Sequence, residues 1–455
     1  MTCEQSNAPR EGLPDRRAGV RSKPGRSSVA MKRLQAADAR LGPLACWLLR
    51  PLAGLLRRRP EDLLGAPQRI LLIKFWGIGS MQLLTPSVRC LRERHPGARL
   101  ELLTLRPNMA FAHGLGVFDE VHTLDLERAG WLSLFGRILG LCRGLRRARF
   151  QAAYDFEFFT RFSALVTLLS GAPQSHGFDA PSVWRGGFHS VRVPFNRYWH
   201  VARNFRNLAG GENGEEIQPK DLAPFKIAPE HRREVEDKLL SLGFSGDGPL
   251  VVFNPNAGSL SLERRWPPTQ FAQLGTRLAI ERGARLALVG APSERAWTGE
   301  VAAKLATLPP QRVVNLAGEL SIGGLHALLE MADLFVTNDS GPMHLAAALG
   351  TPTLGLFGPE TPLMYGPLGE RAEGLYRPPA CSPCINVHDN KVASCVRGRP
   401  ECLTNLTVEH VFERASLRLE RRGLSSWLPR LRLRALTDDA GPAGQASGTA
   451  QGVAR

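Results

Sequence analysis

Short apolar runs alternate with helical patterns in two separate series along this chain, and that alternation admits few folds. The first series opens with the strand Arg69-Ile70-Leu71-Leu72-Ile73-Lys74, then a glycine turn and a helix from Leu83 to Arg94 that Pro96-Gly97 ends. Arg99 to Leu105 is the next strand, and Phe118 to Leu124 and Ala152 to Phe156 supply two more. The second series starts at Leu250-Val251-Val252-Phe253-Asn254. It continues with a helix (Phe271 to Glu281), a strand (Arg285 to Gly290), a helix (Ser293 to Leu305), a strand (Val313 to Leu316), a helix (Ile322 to Met331) and a strand ending at Thr337. Regular β–α alternation requires parallel sheets covered by helices. The loop-rich stretch Gly210 to Gly248 separates the two series, so two α/β domains are expected, with ligands at the carboxyl ends of their strands. The expected boundaries are 67–225 and 245–410. Residues 1–66 read as a disordered basic leader followed by amphipathic helices, and 411–455 as a basic, partly disordered tail.

The most specific local pattern is Thr337-Asn338-Asp339-Ser340-Gly341-Pro342-Met343-His344-Leu345-Ala346-Ala347-Ala348-Leu349-Gly350. It reads as a strand end, a polar turn and a helix of small residues. Ser340 suits the N-cap, and Pro342 suits the first turn, where its missing N–H costs nothing. Such a turn aims backbone N–H groups and the positive end of a helix dipole at whatever sits above it, which suits a diphosphate. An ordinary strand–helix turn that binds nothing is the alternative on physical grounds alone.

The run from Asn338 to Ala348, followed by Leu356-Phe357-Gly358-Pro359, resembles the signature of glycosyltransferase family 9, which includes the lipopolysaccharide heptosyltransferases. The resemblance covers roughly residues 68–410. It implies two Rossmann-like domains facing across a cleft, the GT-B fold, with a nucleotide-sugar donor held mainly by the second domain. It also implies donor-binding roles for Asn338, Asp339, Ser340, Gly341, Pro342, Met343 and His344. The loop Asn254-Pro255-Asn256-Ala257-Gly258-Ser259 and the following Arg264-Arg265-Trp266-Pro267 resemble the family's donor loop and Lys-x-Trp-Pro motif, with Arg264 on the Lys. A cation there neutralises a departing diphosphate, and Arg adds a bidentate fork. Glu294 matches a glutamate expected to accept from ribose hydroxyls; a favourable acid in a helix first turn is the alternative.

On the acceptor side, Lys74-Phe75-Trp76-Gly77-Ile78-Gly79-Ser80 departs from the family pattern Arg-x-x-Ala/Ser-Ile/Leu-Gly-Asp. Lys74 replaces the Arg, Gly79 is kept, and Ser80 stands where the family's general base is an Asp. Asp155 and Glu157, which match a family Asp-Leu-Gln segment, are the next acids in reach, so Asp155 is the expected relocated base, with Ser80 beside it. Capping of a helix by Asp155, or its pairing with Arg161, is the alternative. A dinucleotide fingerprint starting at Gly77-x-Gly79 is excluded by Gln82, where Gly or Ala is needed.

Cys381-Ser382-Pro383-Cys384, Cys395 and Cys402 cluster with spacing suited to a four-thiolate structural zinc, with reduced thiols or disulfides as the alternatives. No cofactor is expected for catalysis. The charge is +16 and concentrates at the ends: residues 1–66 carry a net +7 and 411–455 a net +4. Both ends mix Arg with Leu and Trp, as in Trp47-Leu48-Leu49-Arg50 and Trp427-Leu428-Pro429-Arg430, a pattern that suits anionic membrane surfaces. A solvated basic face is the alternative, and no nucleic-acid motif accompanies the charge. No run of 18 apolar residues is present, so no transmembrane helix is expected. The combined expectation is an inverting glycosyltransferase at the cytoplasmic membrane face, using a nucleotide-diphosphate sugar and a lipid-linked glycan acceptor. Its rival is a catalytically silent relative that binds nucleotide or glycan within an assembly complex.

Overall fold

A computed structural model of the chain describes residues 26–56, 65–126, 131–179, 183–211, 216–258, 261–385 and 395–420. The first domain holds six parallel strands: β1 (Arg69–Ile73), β2 (Arg99–Leu105), β3 (Glu120–Leu124), β4 (Ala152–Asp155), β5 (Gln174–Asp179) and β6 (Val191–Pro194). The second holds β7 (Leu250–Asn254), β8 (Arg285–Leu288), β9 (Val313–Asn315), β10 (Leu334–Asn338), β11 (Thr353–Phe357) and β12 (Ala372–Tyr376). The sheet orders are β3-β2-β1-β4-β5-β6 and β12-β11-β10-β7-β8-β9. Each domain therefore winds outward from its first strand in both directions. The order reverses between β1 and β4, paired with Ile73 opposite Asp155, and between β7 and β10, paired with Asn254 opposite Thr337. A crevice opens at the carboxyl ends of such strand pairs.

The central strands β4, β7, β10 and β11 are buried along their whole length. Helices cover both faces of each sheet, which is why these strands read as continuous apolar runs. The domains also pack on one another. Phe111, Phe225 and His326 stack across the seam, with the Phe225 and His326 rings 3.8 Å apart. Burial pushes His326 down to about 4, and its Nδ1–H donates to the Ile322 carbonyl at 2.7 Å. His200, likewise lowered to about 4 by burial, donates from Nε2 to the Gly366 carbonyl of the other domain at 3.0 Å.

Several expectations are corrected here. The stretch 210–248 is not all loop, because it contains the helix Pro229–Ser241, anchored by buried Val235 and Leu239. Residues 26–30, within the stretch 1–30 expected to be disordered, belong to a helix, Arg26–Leu49, that precedes a short helix Ala53–Leu56. The long helix is tied down by Asp38, whose carboxylate accepts the N–H groups of Arg161 (3.0 Å) and Phe162 (2.7 Å) at the start of the helix Arg161–Ser170. An acid supplied from outside thus satisfies that helix's first donors. The second domain runs past residue 410. Its last described helix, Val408–Glu420, packs on the helix Pro268–Arg282, with the Arg277 guanidinium 3.9 Å above the Phe412 ring. The expectations for residues 1–25, for Arg57 to Arg59 and for the Trp427 segment lie outside the described residues. No helix among the described residues is long and apolar enough to cross a membrane.

Candidate functional site

The two crevices face each other and form one cleft of about 710 Å³. From the second domain it is lined by Asn256, Arg264, Glu294, Asp339, Ser340 and His344; from the first by Gly77, Gly79, Ser80 and Asn108. Several of these side chains are placed by a local device. Trp266 is fully buried. Its N–H donates to Asn338 Oδ1 at 2.9 Å and its indole Nε1 to the Leu406 carbonyl at 2.9 Å. That anchors the short turn Leu262–Arg264, from which Arg264 reaches the cleft. Its guanidinium donates to the Asp339 carbonyl (3.0 Å), to Asp339 Oδ2 (3.1 Å) and to the Ala257 carbonyl. The fork is therefore held before any ligand arrives.

Ser340 occupies the N-cap position of the helix Gly341–Ala348 in extended backbone, yet its hydroxyl makes no cap bond. Asn254 Nδ2 donates to it at 3.1 Å, and it pairs with Thr337 Oγ1 at 2.9 Å. The positive pole of the helix is thus turned toward the cleft without a side-chain cap covering it. Glu294 accepts from Ala291 N (2.8 Å) and Gly258 N (3.3 Å), fastening the two loops that border the cleft.

The domains touch at glycine. A Cβ placed on Gly79 would lie 2.8 Å from Gly341 Cα and 2.8 Å from His344 Cδ2. Only hydrogen fits there, so the turn Gly77–Ser80 and the helix Gly341–Ala348 meet almost backbone to backbone. Gly77 also has a positive φ of 78°, which a side chain would resist.

Four expected site residues are corrected. Asp155 does not line the cleft. It is fully buried at the end of β4, where it accepts from Arg185, from His189 Nε2 (3.2 Å) and from the Glu157 N–H (3.1 Å). Arg161, its partner in the alternative reading, pairs with Asp38 instead. Lys74 is also buried and donates to Glu157 Oε1 at 2.9 Å. The same oxygen accepts from the N–H groups of Phe75 (2.7 Å) and Trp76 (3.0 Å), so Glu157 clamps the entry to the glycine turn. Asn338 and Met343 lie outside the cleft lining: Asn338 is spent on Trp266, and Met343 is core. Asn256 does reach the cleft, but its Nδ2 is spent on Asn254, Val289 and Thr298. The sequence reading missed Asn108, Phe111, Leu325 and Tyr365, which also line the cleft. Asn108 is held by its Nδ2 bonds to the Phe75 carbonyl (2.9 Å) and Thr104 (3.0 Å). Nothing in their local pattern sets these residues apart.

Burial alone pushes the Asp155 carboxyl up, but Arg185, His189 and the Glu157 N–H outweigh it and hold it below the ordinary value. With the folded value lowered, its contribution to stability is complete above the unfolded carboxyl value of about 3.9 and is lost as pH falls through the folded value. Asp155→Asn is expected to cost roughly 3–5 kcal/mol by breaking a buried pair. The measurements are the urea midpoint and the pH–rate profile. Lost stability with an unchanged profile is the expected result, and an altered profile at full stability would restore Asp155 as a base.

Cys381, Cys384, Cys395 and Cys402 line one small cavity together and form no disulfide. Burial pushes the Cys402 thiol up to about 11. Among the described residues, the group whose ligand atoms come within 4.8 Å of one another is a different one: Glu101, Glu120 and His122. There, Glu101 is already bonded by Arg69 at 2.8 Å and 3.0 Å and by His122 at 2.8 Å, an ion-pair network rather than an open ligand set.

Comparison with known proteins agrees with this arrangement. Lipopolysaccharide heptosyltransferase 2 of Escherichia coli is 26% identical over 353 residues, covering 76% of this chain and 97% of the relative. Lipooligosaccharide heptosyltransferase 2 of Campylobacter jejuni is 30% identical over 279 residues, 60% of this chain and 76% of the relative. The solved structure of E. coli ADP-heptose lipopolysaccharide heptosyltransferase II superposes with a TM-score of 0.61 at 24% identity, over 78% of this chain and 99% of that one. This establishes the shared GT-B fold. The sequence profile described as glycosyltransferase family 9 (heptosyltransferase) matches residues 138–393, more than half of the chain, and the protein belongs to that family of enzymes.

Proposed function

We propose that this protein transfers a heptose or related sugar, with inversion, from a nucleotide-diphosphate donor to a lipid-linked glycan of the lipopolysaccharide type. The observation that carries the reading is the meeting, in one cleft, of the preset Arg264 fork with the uncapped amino end of the helix Gly341–Ala348. The heptosyltransferase relatives support the choice of sugar, and the ADP-heptose heptosyltransferase that shares the fold supports ADP as the nucleotide. An acceptor hydroxyl attacks the anomeric carbon while the bond to the diphosphate breaks. The electron pair leaves with the diphosphate, whose charge is met by Arg264 and the helix pole, already oriented. That charge stabilisation needs no cofactor. Glu294 keeps lone pairs for ribose hydroxyls, Asn256 borders the donor, and Ser80 holds the acceptor. Asp339 is engaged by Arg264 and Glu294 by two N–H groups. His344, which lines the cleft beside Gly79 where the domains meet, is read as the group that takes the acceptor's proton.

The competing reading, a silent nucleotide- or glycan-binding relative, rests on Ser80: among the described lining residues the first domain contributes no acid. Assay of the purified protein with a panel of nucleotide sugars and a lipid-linked acceptor separates the two. Transfer is expected, with His344→Ala lowering kcat about a hundredfold or more. Nucleotide binding without turnover across the panel would favour the silent relative.

The spacing of the four cysteines and the one small cavity they line support a zinc there, and a closed four-thiolate set would make it structural, since it leaves no position for catalysis. Metal analysis should find one equivalent per chain, and Cys384→Ser with Cys402→Ser should abolish it. A metal-free, fully active wild type would leave them as plain thiols. The protein works peripherally at the inner face of the cytoplasmic membrane; its basic ends and the exposed Leu and Trp residues of the first helix support this.

A further inference from the structure

A second cavity, of about 260 Å³, lies between the helix Arg26–Leu49, the helix Trp131–Ala148 and the strand ends that lead into Phe75 and Trp76. Its walls include Leu41, Phe75, Trp76, Phe135, Ile138 and Phe162. The carboxylate and the hydroxyl in its wall are already used. Asp38 is spent on the N–H groups of Arg161 and Phe162, and the Thr160 hydroxyl pairs with Ser163 at 3.1 Å. A sugar, a nucleotide or an ion would lose its hydration there and find only the Trp76 indole N–H in return. An alkyl chain loses nothing and gains burial.

The mouth of the cavity is apolar as well. Leu41 is 60% exposed and Phe135 is 67% exposed, although both also form its wall. Leu44, Trp47 and Leu48 extend the exposed apolar stripe along the same helix. Exposed Arg40 and Arg50 flank it, which complements an anionic headgroup. Contiguous exposed apolar surface of this kind marks an interaction site. The inner end of the cavity matters most. Trp76 forms its wall, and the next residue, Gly77, lines the sugar cleft. The Trp76 indole N–H is shielded from solvent there and makes no hydrogen bond.

We propose that this cavity receives one acyl chain of the anionic lipid that carries the acceptor glycan. The tail points inward to Trp76, the anionic headgroup stays at the mouth beside Arg40 and Arg50, and the attached glycan runs outside the cavity toward the cleft that Gly77 lines. This rests on the lipid-linked acceptor of the functional reading and adds to it the place where the lipid is held.

The test uses the full-length protein and dodecyl phosphate kept below its micellar concentration, with binding measured by titration calorimetry. Saturable one-to-one binding is expected. Ala37→Phe, which fills the cavity from its helix wall, and Phe135→Asp at the mouth should each weaken it at least about tenfold. Binding of ADP to the cleft should be unchanged in both. In transfer assays the variants should raise KM for the acylated acceptor about tenfold and leave kcat/KM for the deacylated glycan as in the wild type. Absence of saturable binding to the wild type, or equal binding by both variants, overturns the proposal whatever the transfer assay shows. So does a dimer that excludes dodecyl phosphate and dissociates on Phe135→Asp, because the face would then belong to a second copy. A protein that transfers no sugar yet binds dodecyl phosphate, and loses that binding in both variants, supports the lipid site while the transferase reading falls.

Discussion

Arg264→Ala is expected to lower kcat/KM about a thousandfold, close to 4 kcal/mol of transition-state stabilisation. Two effects combine. The first is loss of a fork that is already held in place by the Asp339 carbonyl, the Asp339 carboxylate and the Ala257 carbonyl, and so needs no reorganisation when charge develops on the leaving diphosphate. The second is what remains. Asp339 is 6% exposed, and without its partner its negative charge would face the diphosphate directly. Arg264→Lys keeps the charge but loses the planar fork, and should fall between. Because the two residues act as a unit, adding Asp339→Asn to Arg264→Ala should recover part of the loss rather than deepen it. Steady-state rates with kcat and KM resolved, alongside a thermal melt, make the measurement. A kcat/KM within threefold of the wild type, in a folded variant, would place the diphosphate elsewhere.

Gly79→Ala should lower kcat about a hundredfold while leaving the fold intact. The added carbon would sit 2.8 Å from Gly341 Cα, and that atom is backbone, which cannot rotate away as a side chain can. The domains must then separate by a fraction of an ångström to an ångström, and misplacement on that scale costs about a hundredfold in well-oriented reactions. The reciprocal change is a built-in control. A Cβ on Gly341 would meet Ile78 Cγ1 at 3.1 Å and the Gly79 nitrogen at 3.3 Å, a milder contact, so Gly341→Ala should be the gentler of the two. Equal rates for Gly79→Ala and the wild type would mean that the seam need not close this tightly during turnover.

The parts of the fold that could be read from the sequence are those buried on both sides. β1, β2, β7, β8 and β10 are near-continuous apolar runs because helices cover both faces of their sheets. β5, Gln174–Asp179, offers one large apolar residue, and β6 is mostly exposed, so neither carries a pattern. The helix Pro229–Ser241 buries only Val235 and Leu239, too little to stand out from a loop. The site divides the same way. Arg264 was legible because Trp266, two residues on, is the anchor of its turn. Asp155 was misread because its fate depends on Arg185 and His189, 30 and 34 residues downstream, in a stretch with no periodicity. Lys74 and Glu157, 83 residues apart, are matched only by the parallel pairing of β1 with β4. Charge pairing across a crossover connection leaves no local trace.

The two sheets share one winding, each reversing between its first and fourth strands. The protein is therefore two copies of one architectural idea set mouth to mouth, and the chemistry has been divided between them. One mouth has kept charge: Arg264, Asp339 and a helix pole. The other has kept smallness: Gly77, Gly79 and a serine. Such a division makes the halves separable in inheritance. The choice of donor can drift within residues 250–376 without disturbing what the first half accepts, and the choice of acceptor can drift within the first half without touching the leaving-group machinery. The glycine contact between them is a feature that neither half can change alone.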